Sequence, residues 1–238
     1  MKRIVFLSLL MLIVLAGCAL VKGAPAQVAP APAKSKLSLE EMARLYPKEY
    51  NDWKDSVHGV AYLSGNKDAP ACTDCHGDPA SGEIQTAAFR SEIPARCARC
   101  HADATLMAKY NLPADIYDSY RADYHGTTVE FYRASNPSVW RYEATCSDCH
   151  NSHAIYKVDD PRSSVAPGNL LATCQKCHQG AEANFAAADS GHFRISPASS
   201  TLVFAFGLAY RILIPVVIGG MLAYIALDIV HRVRSRRA

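Results

Sequence analysis

The central part of this 238-residue chain lacks an excess of positive charge. Between Ala19 and Ser200 there are 18 Lys and Arg against 21 Asp and Glu, although the whole chain carries a formal charge of +3. Nucleic acid binding needs a basic face, and this region does not offer one. The surplus of Lys and Arg belongs to the two ends of the chain, so we expect no nucleic acid partner.

No cysteine other than Cys18 lacks a CxxC partner when the nine cysteines are sorted by their spacing. Cys18 stands alone, and the other eight form CxxC pairs that are each followed at once by histidine, as in c-type haem attachment motifs. In such a motif two thiols reach neighbouring rings of one porphyrin, and the histidine supplies the proximal imidazole. We predict four haem c groups, bound covalently by Cys72, Cys75, Cys97, Cys100, Cys146, Cys149, Cys174 and Cys177. The expected proximal iron ligands are His76, His101, His150 and His178.

Two other uses of CxxC pairs are open. Structural zinc could take two pairs per ion through four thiolates, but the histidine after every pair would then have no purpose. A redox-active dithiol also uses CxxC, yet it normally occurs once, on a βαβ scaffold that this sequence does not show.

The remaining histidines match the predicted irons in number. Besides the four proximal residues and His231 in the C-terminal tail, the chain has His58, His125, His153 and His192. Methionine is a scarce alternative, since Met42 and Met107 are the two between Ala19 and Ser200. Axial ligand identity is a main determinant of haem potential. We predict bis-histidine ligation with four distal ligands, namely His58, His125, His153 and His192.

The motifs repeat in two halves, which we place at about 57–110 and 124–193. His58 and His125 each precede two motifs, and each is followed by glycine, as a close approach to a flat ring could require. The position that corresponds to His153 in the first half is Pro79. His153 lies too near His150 to reach the other face of the same porphyrin, so we expect it to bind a neighbouring iron.

The N-terminus has the pattern of an export signal. Residues 1–17 begin with Lys2 and Arg3 and continue with an apolar run too short to span a bilayer. The run ends in LAGC, which resembles a bacterial lipobox and predicts lipidation of Cys18; a plain signal peptide is the alternative. Residues 18–37 are rich in Ala and Pro and predict an extended tether.

The C-terminal segment 201–231 is predicted to anchor the chain in a membrane. Ile212 to Val230 forms nineteen residues with a single charge, Asp228, which is long enough for a transmembrane helix. Residues 232–238 contain four arginines and predict a cytoplasmic C-terminus by the positive-inside rule. A buried core helix is the alternative. His231 as a ligand of a membrane b-haem would lack a second ligand in this tail.

The region 38–200 predicts a mainly α-helical domain with long loops and very little sheet, in which four porphyrins form much of the core. SLEE, from Ser38 to Glu41, fits a capping box at the start of a helix. We expect helices at Leu39–Leu45 and Pro47–Leu63, and one after each motif.

These features together resemble the multihaem c-type cytochromes of bacterial respiration. The half from Tyr124 to Phe193 is similar to repeats of periplasmic cytochromes in anaerobic metal- or sulfur-respiring bacteria, and the anchored tetrahaem domain resembles small quinol dehydrogenases, which carry their helix at the N-terminus instead. The resemblance implies a multihaem cytochrome fold and a periplasmic haem domain on the bacterial inner membrane. The implied partners are membrane lipid, a quinol-oxidising or cytochrome b-type membrane subunit, and soluble periplasmic cytochromes or reductases.

The implied role is electron transfer from the quinol pool, or from that membrane subunit, to periplasmic acceptors. An alternative role is a multihaem reductase with one exchangeable iron site, acting on small nitrogen or sulfur oxyanions. A protein without haem, acting as a metal-binding or scaffold protein, is a third possibility.

Overall fold

The computed structural model describes residues 37–78, 82–188, 192 and 196–236. Helix accounts for 63% of these residues, and no strand occurs among them, which agrees with the mainly α-helical fold expected from the sequence. The predicted signal peptide, Cys18, the predicted tether up to residue 36 and Pro79 lie outside the described residues.

The four CxxCH motifs lie on helices or at their ends. The helices of the first half are α1 (Leu39–Leu45), α2 (Pro47–Lys54), α3 (Val57–Leu63), α4 (Cys72–His76), α5 (Ala87–His101) and α6 (Ala104–Ala108). Those of the second half are α7 (Ile116–Ala122), α8 (Tyr124–Ser135), α9 (Cys146–His150), α10 (Leu170–Gln175) and α11 (Ala183–Ala188). A 3₁₀ turn covers Glu83–Gln85, and α12 (Thr201–Ser235) follows near the C-terminus.

Local capping sets where these helices begin. At α1 the Ser38 amide donates to Glu41 Oε2 over 2.8 Å, and the Glu41 amide donates to Ser38 Oγ over 3.2 Å, so the predicted capping box is confirmed. The predicted helix Pro47–Leu63 is instead two helices. Ser56 interrupts it, because its hydroxyl accepts from the Gly59 amide and donates to the Trp53 carbonyl, which ends one helix and begins the next.

The expected helix after every motif is found only in part. α6 follows the second motif and α11 follows the fourth. After the third motif, residues 151–169 form turns and irregular structure with no helix. Side chains stabilise this loop. The side-chain Nδ2 of Asn169 donates to the carbonyls of Pro161 and Ser163, both over 2.8 Å.

The apolar core of the described domain is small. Its main cluster joins Ala95 and Ala98 of α5 to Tyr117 and Tyr120 of α7. Trp53, Met42 and other buried side chains lie apart from that cluster. A domain of this size normally buries a larger continuous core, so side-chain packing alone accounts for little of its stability.

The C-terminal helix belongs to a second compact unit. α12 has 35 residues and spans about 52 Å at 1.5 Å per residue, which exceeds the about 30 Å of a bilayer's hydrocarbon core. None of its residues is buried. It is long and apolar enough to cross a membrane, and Arg232 near its end pairs with Asp228 over 2.7 Å.

Candidate haem-binding sites

Each expected proximal histidine faces one of the four spare histidines, and each spare histidine is used once. The ring centroids are 6.1 to 6.4 Å apart in every pair. The pairs are His76 with His153, His101 with His58, His150 with His192, and His178 with His125. His153 therefore faces an imidazole other than that of His150, as the sequence predicts.

These separations suit two imidazoles on opposite sides of one metal ion. A metal–imidazole bond is about 2.0–2.1 Å long, and the ring nitrogen lies about 1.1 Å from its centroid, so two such rings are about 6.2 Å apart. His150 and His192 are nearly parallel, at 6°, yet 6.2 Å apart. Rings in face-to-face contact would be much closer, since carbon atoms touch at about 3.5–4.0 Å. The residues present thus fit a metal with two axial imidazoles.

Burial keeps several of these imidazoles in the neutral form that binds metals. It is the largest cause that lowers the pKa of His58 to about 4, with the nearby His101 adding to it. It also lowers the pKa of His76 to about 4, helped by His153 and Arg96. The pKa values of His101, His150 and His153 are lowered for the same main reason. A neutral imidazole offers a lone pair without first losing a proton.

Equivalent helix starts position the distal histidines of the two halves. His58 is the second residue of α3 and His125 is the second residue of α8. In α3 the Gly59 amide donates to Ser56 Oγ over 3.1 Å, and in α8 the Gly126 amide donates to Asp123 Oδ1 over 2.8 Å. The two halves therefore repeat in local structure as well as in motif order.

The glycine after each of these histidines lies against the backbone of the preceding helix. A Cβ atom on Gly59 would lie 2.0 Å from the Trp53 carbonyl oxygen, and one on Gly126 would lie 2.0 Å from the Tyr120 carbonyl oxygen. The close approach is thus to the backbone of the preceding helix, which fixes the direction in which the histidine leaves that helix.

The first motif of each half is held by an aspartate that the sequence analysis did not single out. In CTDCH, Asp74 Oδ2 accepts from the Ala71 amide over 2.8 Å; in CSDCH, Asp148 Oδ2 accepts from the Thr145 amide over 2.7 Å. The second motifs carry a basic residue at this position, Arg99 and Lys176. This alternation was visible in the sequence and separates the motifs into two types.

Arginines around the motifs offer further donors. The Nε atoms of Arg96, Arg121 and Arg133 are buried and have no hydrogen-bond partner. Arg96 reaches towards the first motif, since its Nη1 lies 3.5 Å from the Cys75 carbonyl. Such N–H groups suit the carboxylates of a porphyrin's propionates, a role that no sequence motif revealed.

A cluster of three or more His, Cys, Asp or Glu side chains in metal-ligand arrangement does not occur in the described part of the chain. A haem iron needs two axial ligands from the protein, which is what each histidine pair provides. Comparisons of the chain with known protein families, with curated proteins and with solved structures gave no match.

Proposed function

We propose that this chain is a membrane-anchored tetrahaem c-type cytochrome that relays electrons from the quinol pool, or from a quinol-oxidising membrane subunit, to periplasmic acceptors. The observation that carries the proposal is the one-to-one matching of four CxxCH histidines with four spare histidines at 6.1 to 6.4 Å. When bound, haem c supplies a one-electron couple whose potential the axial ligands tune.

The residues of the chain would divide the work as follows. The eight cysteines of the four motifs would hold the porphyrins, and the eight paired imidazoles would supply two nitrogen ligands to each iron. The buried Nε atoms of Arg96, Arg121 and Arg133 would offer donors to the haem carboxylates, and the aspartates of CTDCH and CSDCH hold the starts of the motif helices. Because every expected ligand is matched, the arrangement favours transfer over substrate chemistry at iron.

The membrane arrangement in this proposal rests on sequence and on α12. The helix is long enough to anchor the domain, and the arginines near its end favour a cytoplasmic C-terminus. The haem domain would then lie in the periplasm, where CxxCH thiols are joined to haem and soluble acceptors diffuse.

A haem count with a ligand-binding test decides the proposal. Purified full-length protein, made in a host that matures c-type cytochromes, should give four haems per chain in the pyridine haemochrome assay. Its reduced form should show low-spin spectra that carbon monoxide leaves unchanged. Clearly fewer than four haems would refute the cofactor assignment, and a haem-free metal-binding protein would replace it.

A second candidate function, a reductase with one exchangeable iron site, is favoured by one observation. His192 is exposed, whereas the other three spare histidines are not, so the third site has the distal ligand that solvent reaches most easily. Binding of carbon monoxide or nitrite to one haem per chain in the reduced wild-type protein would support this function over simple electron transfer.

A further inference from the structure

The third motif, in α9, is linked to each of the other three sites: to the second through Cys97 and Arg90, to the first through the loop that carries His153, and to the fourth through Ser164 and Thr173. We propose that the third haem site is the junction of the four, and that its iron is set apart from the other three by parallel axial imidazoles. This inference rests on the proposed tetrahaem function and adds the order and the character of the sites.

The contact with the first site is made by the chain itself. His150 binds the third iron in this assignment, and His153, three residues later, faces His76 of the first motif at 6.4 Å. Three residues span at most about 10–11 Å, so one short loop holds ligands of two irons. The Val57 amide donates to the Ile155 carbonyl over 2.9 Å, which fixes this loop to the start of α3.

The contact with the second site joins α9 to α5. The side chains of Cys97 and Cys146 lie next to each other, so the second and third motifs meet at the residues that would carry the porphyrins. Arg90, also on α5, forms a two-pronged pair with Asp148 of the third motif, at 3.0 and 3.2 Å. The same guanidinium donates to the Glu143 carbonyl over 3.0 Å.

The contact with the fourth site passes through Ser164. Its hydroxyl donates to the carbonyl of Cys149 in the third motif, and its own carbonyl accepts from Thr173 Oγ1 over 2.7 Å. Thr173 directly precedes Cys174 of the fourth motif. These two hydrogen bonds, which are partly buried, therefore connect the third motif to the fourth.

Ring orientation separates the third site from the others. The imidazole planes of His150 and His192 differ by 6°, while the planes of the other pairs cross at 57°, 65° and 84°. Each axial imidazole interacts with the iron d orbital perpendicular to its plane. Two parallel rings interact with the same one of two iron d orbitals, so the energy of that orbital rises above the energy of the other. Two crossed rings interact with one orbital each, so both energies rise and stay nearly equal. Only the split case gives an ordinary rhombic low-spin signal.

Electron paramagnetic resonance of the oxidised full-length protein tests this character. We expect one rhombic low-spin signal that integrates to one iron per chain, together with highly anisotropic signals from three irons. His192→Ala should remove the rhombic signal and create one high-spin iron. The matched variant His58→Ala should keep the rhombic signal and lose one anisotropic signal. A rhombic signal that survives in His192→Ala, or is absent from the wild type, overturns the assignment.

Motif deletions test the junction through His153. His153→Ala alone should give one high-spin haem in four. Adding Cys72→Ser and Cys75→Ser removes the first haem, and the remaining three should then all be low-spin. In the control, adding Cys174→Ser and Cys177→Ser to His153→Ala removes the fourth haem and should leave the high-spin signal. High-spin iron in the first combination, or its absence from the control, would refute the pairing of His153 with the first site.

If a variant with a deleted motif does not fold, the electron paramagnetic resonance signals of His153→Ala alone still test the assignment. In His153→Ala alone, the rhombic signal must persist while one anisotropic signal is lost, and loss of the rhombic signal refutes the assignment. Failure of the tetrahaem proposal itself would look different, since the wild-type protein would then contain fewer than four haems or a resting high-spin iron.

Discussion

Replacing Gly126 by alanine should displace a distal ligand without touching any ligand atom. The new Cβ would lie 2.0 Å from the Tyr120 carbonyl oxygen, whereas ordinary contacts begin at 3.4 Å. The start of α8 must therefore move by about 1.4 Å, the difference between these distances. The obstacle is backbone, so no side chain can rotate away. We expect the free energy of unfolding to fall by an amount in the upper part of the range of about 1–3 kcal/mol that is typical of overpacking. The better helix propensity of alanine offsets at most about 1 kcal/mol of this loss.

The assay is denaturant unfolding of the full-length protein carrying its haems, followed by far-ultraviolet circular dichroism. Gly180→Ala is the matched control, because a Cβ there meets open space. His125 directly precedes Gly126, so the variant should also show partial high-spin character that imidazole in solution reverses. Equal unfolding midpoints for Gly126→Ala and Gly180→Ala would refute the reasoning, and Gly59→Ala should repeat the result in the first half.

Four further predictions concern stability, charge and topology. Arg90→Met removes a partly buried pair with Asp148 and bonds to two carbonyls, so it should lower the free energy of unfolding by about 1–3 kcal/mol. Arg162→Met, whose side chain is 60% exposed, should lower it by clearly less, because solvent weakens an exposed ion pair; equal effects would contradict this. Burial, with Glu130 adding to it, raises the pKa of Tyr117 to about 12. Its contribution to stability is complete below pH about 10 and is lost as the pH rises towards 12, so Tyr117→Phe should unfold with less difference between pH 9 and pH 11 than the wild type, and an unchanged difference would sink the prediction. A green fluorescent protein fused after Ala238 should fluoresce, and an alkaline phosphatase fused there should be inactive; the reverse pattern would overturn the topology. Electron transfer to a basic soluble acceptor should slow as ionic strength rises, because the haem domain has more acidic than basic residues, and a flat salt profile would count against it.

The sequence predicts the ligand set much better than the pairing. CxxCH spacing identifies eight cysteines and four histidines, and simple counting points to His58, His125, His153 and His192. The path of the loops between the helices determines which imidazoles face each other, and the local spacing of residues does not predict that path. His153 faces His76, a residue of the other half, across 77 positions of the chain.

The predicted helix boundaries were wrong where a polar side chain forms hydrogen bonds with backbone groups that a continuous helix would use. Pro47–Leu63 has a pattern that suits one continuous helix, yet the Ser56 hydroxyl binds the Trp53 carbonyl and the Gly59 amide and divides it. The contact of Gly59 with the Trp53 carbonyl was not predicted, because the sequence does not reveal that the backbone of the preceding helix lies against this glycine.

The ligand pairs also bear on how so small a core can hold the domain together. In every pair the two histidines are more than forty residues apart, so each iron would close a long loop, as a disulfide does. The entropic cost of closing a loop depends only weakly on its length. The loop from His76 to His153 costs only about 0.5 kcal/mol more to close than the shorter loop from His150 to His192. The four closures are therefore nearly equivalent in stabilising the fold. What distinguishes the sites is ring orientation, burial and the charges beside them, which act on the potential of the iron. The same eight histidines would thus stabilise the domain in nearly equal shares, while the four proposed sites would differ in their electronic properties.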